Sequence, residues 1–200
     1  MRSSTNLICG VDEVGRGPWA GPILAAAVIL PDEPSLIPDG IRDSKVMTRK
    51  ARAEVSEALR SCACWGIGLV EAADLDRMGL NPANDLAMTR AIAAMPARPS
   101  MALIDGNRMP RGLRGPAQTR IGGDASNLAI AAASIIAKVA RDAIMSELAR
   151  RFPGYGWESN AGYGVRAHRD AIKRLGITPQ HRRCFQPIRQ HLLEEKSTNI

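Results

Sequence analysis

Aromatic residues are scarce in this chain of 200 residues, at 4%, so alanine and the branched aliphatics must fill its interior. Cysteine is scarce as well. Cys9, Cys62, Cys64 and Cys184 show no CxxC spacing and no paired histidines at zinc-finger distances, which argues against a structural zinc site. We read them as small buried hydrophobes without disulfides, with Cys62 and Cys64 on one face of a strand. No apolar run approaches the roughly 18 residues needed to cross a bilayer. Residues 1–6 carry no hydrophobic signal core, so the expectation is a cytoplasmic protein with no membrane contact. An acidic surplus is lacking too: 27 Lys and Arg against 20 Asp and Glu give a net charge of +7. That balance suits polyanionic partners, and it is unevenly spread. Between Arg166 and His191 lie Arg166, His168, Arg169, Lys173, Arg174, His181, Arg182, Arg183, Arg189 and His191, opposed by Asp170 alone. Such a block is either a solvated face or a phosphate-binding one.

The chain has the length of one domain. Residues 7–12 read as a short buried strand that ends in carboxylates, and residues 23–30 as an apolar strand closed by Pro31. Thr48 is a candidate N-cap for a helix over 48–61, followed by a strand over 62–70. Residues 71–95 read as helix in two pieces, broken near Gly79 and Pro82. Short strands are expected at 101–105 and 118–121. The longest helix, 127–152, is rich in Ala and Ile, with Ser126 or Asp124 as its cap. A loop over 153–164 and a helix over 166–175 precede basic, proline-containing chain. Strands in succession and then helices alternating with short strands predict a mixed α/β sheet flanked by helices.

Ligand sites in such sheets gather at strand ends, and here the strand ends carry Asp12, Glu13 and Asp105. Acids avoid the ends of buried strands unless something compensates them. A third segment, Gly122-Gly123-Asp124, brings another acid to the entrance of the long helix, where a plain helix cap is the rival role. Clustered carboxylates stay ionised together only beside cations, and oxygen-only donors favour Mg²⁺ or Mn²⁺ over zinc. Adjacent residues of a strand face opposite ways, so Asp12 and Glu13 share a site only if the strand twists or ends there. Asp142 is excluded by distance, since helical rise of about 1.5 Å per residue puts it roughly 27 Å from Asp124. An ion pair with Lys138, four residues earlier, is its expected role. Gly15, Gly17 and Gly21 have the look of a dinucleotide loop, but Pro18 and Pro22 and the short apolar run that follows leave no room for a crossover helix. A turn offering backbone N–H groups around Arg16 to a phosphodiester or ribose hydroxyl fits better.

These motifs together resemble the ribonuclease HII family. The stretch GVDEVGRGP from Gly10 to Pro18 is similar to its N-terminal signature. Further matches follow in family order: Ala20 to Pro22, Asp43-Ser44-Lys45, IDGN from Ile104 to Asn107, and Gly123-Asp124. AAASIIAKVARD from Ala131 to Asp142, Gly162-Tyr163, and HRRCFQP from His181 to Pro187 complete the set. The resemblance implies a single ribonuclease H-like domain over 1–200, with a basic C-terminal helical extension at about 165–192 and a tail from 193. It implies two divalent metals held by Asp12, Glu13, Asp105 and Asp124. It implies cleavage of RNA–DNA hybrids and of duplex DNA with embedded ribonucleotides, leaving 5′-phosphate and 3′-hydroxyl ends. Gly15, Arg16, Gly17 and Tyr163 would read the ribose 2′-hydroxyl, while Ser44, Lys45, Arg182 and Arg183 would meet the backbone. A packed loop aromatic and a solvated lysine are the plainer roles for Tyr163 and Lys45.

The chain departs from the family pattern where many relatives carry lysine, at Gly122 and Ser126. It also has Asn160-Ala161-Gly162-Tyr163-Gly164 in place of a common His-Lys-Gly-Tyr-Pro. With so few residues before the first strand, the extra N-terminal domain of ribonuclease HIII is not expected, and residues 194–200 lack the aromatics of a sliding-clamp peptide. The expected protein is a monomer. Two other functions share parts of this pattern: a basic nucleic-acid-binding protein with a dormant site, and a resolvase or integrase-like nuclease of the same fold.

Overall fold

The computed structural model describes residues 7–198; the expectation about residues 1–6, and the end of the tail, lie outside them. Five strands form one mixed sheet in the order β3-β2-β1-β4-β5. They are β1 (Ile8–Val14), β2 (Ile23–Ile29), β3 (Cys64–Val70), β4 (Met101–Asp105) and β5 (Ala117–Arg120). The first three pair antiparallel; β4 and β5 join parallel to β1. This is the expected mixed α/β sheet. The third strand begins at Cys64, because Cys62 still belongs to the preceding helix. Cys62 and Cys184 are exposed and Cys64 is intermediate, so of the four thiols Cys9 alone is the buried hydrophobe expected, and all four are free.

Every residue of β2 is buried, which follows from helices covering both faces of the sheet. Ile23, Ala25, Ala27 and Ile29 join Cys9 and Val11 against α2 (Ala72–Met78) and α3 (Leu80–Ala93). Ala26 and Val28 face α1 (Arg49–Cys62) and the long α5 (Leu128–Arg151). The shortage of aromatics is met by close approach. A Cβ on Gly68 would lie 2.0 Å from the Ala87 carbonyl oxygen, and one on Gly66 would lie 2.3 Å from that of Ala91, so α3 rests on the bare backbone of β3. On the other face, a Cβ on Gly10 would lie 2.1 Å from the Ala129 carbonyl carbon in α5.

Thr48 caps α1 as expected, its hydroxyl accepting from Ala51 N–H. The cap of α5 is Asn127, however, whose side chain accepts from Ala129 and Ile130 N–H. Asp124 and Ser126 lie instead in a separate turn, α4 (Gly123–Ser126), started by Gly122 in the left-handed region. Within the 153–164 loop sits a short α6 (Trp157–Asn160), and α7 spans Arg166–Leu175. The C-terminal extension continues in α8, which runs Gln186–Thr198, past residue 193 where a tail was expected. Trp19, Phe152, Tyr155 and Trp157 meet in a third cluster that ties α7 and α8 to the end of α5 through Met145, Leu148, Ile172 and Ile188. No helix among the described residues is long and apolar enough to cross a membrane.

Gly10→Ala tests the close approach of β1 and α5. Because the obstructing atoms are backbone, the substitution should cost about 2–3 kcal/mol, seen as a lower urea midpoint at unchanged slope. An unaltered midpoint would show that the helix stands off from the strand.

Candidate active site

The site forms where β1 and β4 end. Their parallel register pairs Val11 with Ile104, so the next residue of each, Asp12 and Asp105, lie side by side. Side-chain alternation points both to the α5 face, since Val11 and Ile104 belong to the cluster on the α3 face. Gly123 N–H donates to Asp105 Oδ1 at 2.8 Å, and this bond fastens α4 to the strand and brings in Asp124. Asp12, Asp105 and Asp124 each offer a carboxylate oxygen within 4.8 Å of the others. Asp12 and Asp124 are only 6% and 7% exposed.

Glu13 is not in that triad. It leaves the strand on the opposite face and lies 3.8 Å from Arg16, whose guanidinium also donates to Asn81 at the start of α3. It still feels Asp105 electrostatically, and burial raises its pKa. Adjacent positions on β1 thus put two acids at one end on different sides.

Burial and then the charge of Glu13 push the Asp12 carboxyl up to about 8. Two groups work against that shift: the Ser134 hydroxyl of α5 and the Glu13 N–H. Ser134 Oγ also lies 2.9 Å from Ser44 Oγ. Lys45, next along, extends its ammonium to Asp124 Oδ2 at 2.7 Å. Buried acids with a single ammonium for balance are short of positive charge. The donor set is all oxygen, and it fits a hard divalent cation.

Ser44 is buried, and its hydroxyl faces Ser134 instead of solvent. Ser134, its partner, in turn faces the Asp12 carboxylate. Asp142 pairs with Lys138 at 2.6 Å, as expected, and lies near Arg52 at 3.8 Å.

Beside the acids is the glycine turn. Gly15 has φ +91°, and a Cβ there would collide with Arg141 Nε at 2.3 Å. Arg141, fully buried in α5, donates to the carbonyls of Ala20, Pro22 and Ala161. Arg182 is also fully buried and donates to the carbonyls of Arg16, Gly21 and Pro22. The guanidinium of Arg182, expected at substrate phosphate, is held here against the carbonyls that shape the turn. Neither arginine has an ion pair among the described residues. Burial lowers both guanidinium pKa values, and Arg141 lowers that of Arg182 further. Arg183 is exposed, its backbone N–H bonded to Asp76, so its side chain remains free to face a polyanion.

Tyr163 lies across the same turn. Its ring carbon is 3.3 Å from where a Gly17 Cβ would be, and the residue is 47% exposed. Trp19 N–H donates to Gly162 O at 2.8 Å. His168 Nδ1 lies 2.9 Å from Tyr163 O and donates to it, since His168 Nε2 accepts from Trp157 Nε1. His181 Nδ1 accepts from Thr178 N–H, and its Nε2 lies 3.1 Å from His168 Nε2. Both imidazoles are neutral; burial lowers both pKa values, that of His181 to about 3. His168, His181 and Arg182, read as parts of a basic face, are interior members of the scaffold under Tyr163.

Ser134 and Arg141 carry no part in the sequence reading, yet a signal for them exists. Ile130, Ser134, Ala137, Arg141, Met145 and Leu148 are all buried and spaced by three or four along α5. Polar residues on that stripe must have partners inside.

The family model for ribonuclease HII matches residues 9–188. This chain belongs to the ribonuclease HII family. It is 49% identical to the ribonuclease HII of Paracoccus denitrificans, over 98% of this chain and 93% of that protein. The ribonuclease H2 structure from Pyrococcus horikoshii superposes with a TM-score of 0.81 at 24% identity, covering 94% of this chain and 98% of that one. Bst-RNase HIII, solved in complex with Mn²⁺, gives 0.73 at 20% identity over 98% of this chain and 72% of its own. The fold is thus the ribonuclease H type, and the family is one of endonucleases.

A pH test follows from Asp12. Its folded pKa of about 8 exceeds the ordinary 3.8. Between those values the folded protein holds a proton that the unfolded chain has released, so without metal this group costs stability as pH rises. Melting temperatures of the wild type and Asp12→Asn should be compared in EDTA from about pH 6 to about pH 8. The variant should gain on the wild type across that range, the histidine contributions being common to both. A constant difference would mean that Asp12 is ionised throughout.

Proposed function

We propose that the protein is an endoribonuclease that cuts the RNA-containing strand of RNA–DNA hybrids and of DNA duplexes with embedded ribonucleotides, and so begins ribonucleotide removal from DNA. The observation that carries this reading is one juxtaposition: three converging aspartates beside a braced Gly15–Arg16–Gly17 turn, with the exposed ring of Tyr163 across it. Acids alone would suit many nucleases of this fold. A turn that offers main-chain N–H groups next to an aromatic suits a reader of the ribose 2′-hydroxyl, the group that marks RNA.

Asp12, Asp105 and Asp124 would hold the divalent ions, Mg²⁺ or Mn²⁺, with Glu13 joining from the other side of β1. Ions bound there would supply an activated water and neutralise charge on the departing 3′ oxygen, the chemistry of a two-metal hydrolysis that would leave 5′-phosphate and 3′-hydroxyl ends. Ser134 and Gly123 N–H orient the carboxylates of Asp12 and Asp105. Lys45 and Arg183 would meet phosphates of the duplex. We read the whole chain as one domain working as a monomer in the cytoplasm. All four acids come from one chain, so the site needs no second copy to complete it.

The test is a labelled DNA duplex with a single ribonucleotide, incubated with Mg²⁺, Mn²⁺ or EDTA beside an all-DNA duplex. Cutting next to the ribonucleotide with either metal, and none in EDTA, is expected; Asp105→Asn should abolish it. Cutting of the all-DNA duplex would favour the resolvase reading, and binding without cutting the dormant one.

Tyr163→Ala should separate recognition from chemistry. A lost ribose contact is worth about 1–3 kcal/mol, or roughly 5- to 150-fold in rate on that duplex. Mn²⁺ affinity should be unchanged. Equal rates for variant and wild type would return Tyr163 to the role of a packed loop residue.

A further inference from the structure

Lys45 makes a contact that a phosphate-binding lysine does not need. Its side chain is 76% exposed, yet its ammonium is 2.7 Å from Asp124 Oδ2, on a carboxylate side chain only 8% exposed. That carboxylate belongs to the triad whose oxygens lie within 4.8 Å of one another. The ammonium therefore neutralises a buried acid at the mouth of the cation site.

The surrounding loop is pinned on both sides of Lys45. Before it, Ser44 is buried, its hydroxyl 2.9 Å from Ser134 Oγ and its carbonyl accepting from Arg52 at 2.6 Å. After it, Met47 is buried beside α1 and its carbonyl accepts from the same guanidinium nitrogen at 2.8 Å. Lys45 N–H itself donates to Asp43 Oδ1 at 2.9 Å. The backbone is fixed while the long, exposed stem is not, so the ammonium can swing without rearranging the loop.

We propose that Lys45 is the site's own counter-cation. It holds Asp124 while no divalent ion is bound, and a divalent ion drives it off by repulsion at the shared carboxylate. The freed ammonium then stands beside the acids, facing solvent and any phosphate that approaches. Metal loading and phosphate binding are thereby coupled through one side chain. This rests on the proposed function insofar as Asp124 is taken as a metal ligand.

The idea makes two effects of one substitution opposite in sign. A lysine that served phosphate alone would, when neutralised, weaken nucleic-acid binding and leave metal binding in the free protein as it was. A counter-cation, when removed, leaves Asp124 uncompensated and open, so the free protein binds metal more tightly. The full chain, without nucleic acid, should be titrated with Mn²⁺ by calorimetry as wild type, Lys45→Met and Lys45→Arg. Lys45→Met should bind about fivefold tighter or more, and Lys45→Arg, which keeps the charge, should stay near the wild type. Amine acetylation read by mass spectrometry supplies a second measure on the wild type. Lys45 should react faster once Mn²⁺ is added, while Lys50, whose side chain is 88% exposed on α1, should not change.

Equal or weaker Mn²⁺ binding by Lys45→Met, with the wild type binding normally, overturns the proposal and leaves the nuclease reading intact. Unchanged acetylation of Lys45 on adding Mn²⁺ overturns it too. If no form binds Mn²⁺ while all remain folded by circular dichroism, the metal assignment fails and the counter-cation goes with it.

Discussion

Repulsion among carboxylates held in one place is the constraint on which the rest of this structure turns. The parallel register of β1 and β4 brings Asp12 and Asp105 together, and the bond from Gly123 N–H to Asp105 adds Asp124. No hydrophobic gain explains such an arrangement, which costs stability whenever the acids are ionised without a cation. The protein shows the ways of meeting that cost: a raised pKa at Asp12, hydroxyl and N–H donors, and the Lys45 ammonium. Each is a partial substitute for positive charge. A site with this debt is built to receive a hard cation.

The second device uses charge in the opposite way. Arg141 and Arg182 are buried beneath the glycine turn, and their guanidinium groups donate to backbone carbonyls. A guanidinium has enough donors in a rigid plane to hold several carbonyls at once, which a lysine cannot do in the same geometry. The two side chains tie residues 16–22 to residue 161, so the turn and the Tyr163 loop share one set of braces. Two buried positive charges under that turn also make it a favourable place for a polyanion. The neutral His168–His181 pair completes the support from below by holding the Tyr163 carbonyl.

Much of this was legible in the sequence, and the boundary of legibility has physical reasons. Strands reveal themselves by uninterrupted apolar runs, so β1, β2 and β4 and their terminal acids were readable. The GVDEVGRGP signature pointed to the family before any coordinate. Side-chain alternation set the condition that Asp12 and Glu13 share a site only if the strand twists or ends there, and the three aspartates converge without Glu13. What sequence could not show was which polar residues turn inward. Arg182 and His168 look like any surface cation until Trp157, Thr178 and the carbonyls of the turn are folded around them. Ser44 reads as part of a phosphate-binding triplet until its hydroxyl is found against Ser134. The cap of α5 was misjudged because Asp124 and Ser126 are good capping residues, and the extra turn α4 left that role to Asn127. A helical extension was expected after residue 165, but the bounds of α8 were not legible, because its apolar positions are few and its partners lie far away in sequence.

The claim that Asp12, Asp105 and Asp124 constitute a cation site can be tested without any catalytic assay. Crystals soaked in Mn²⁺ should be measured for anomalous scattering at the manganese edge. The account predicts density within coordination distance of those carboxylates, with the Lys45 ammonium displaced from Asp124. An occupied manganese position elsewhere and none at the triad, with Lys45 still on Asp124, would contradict it.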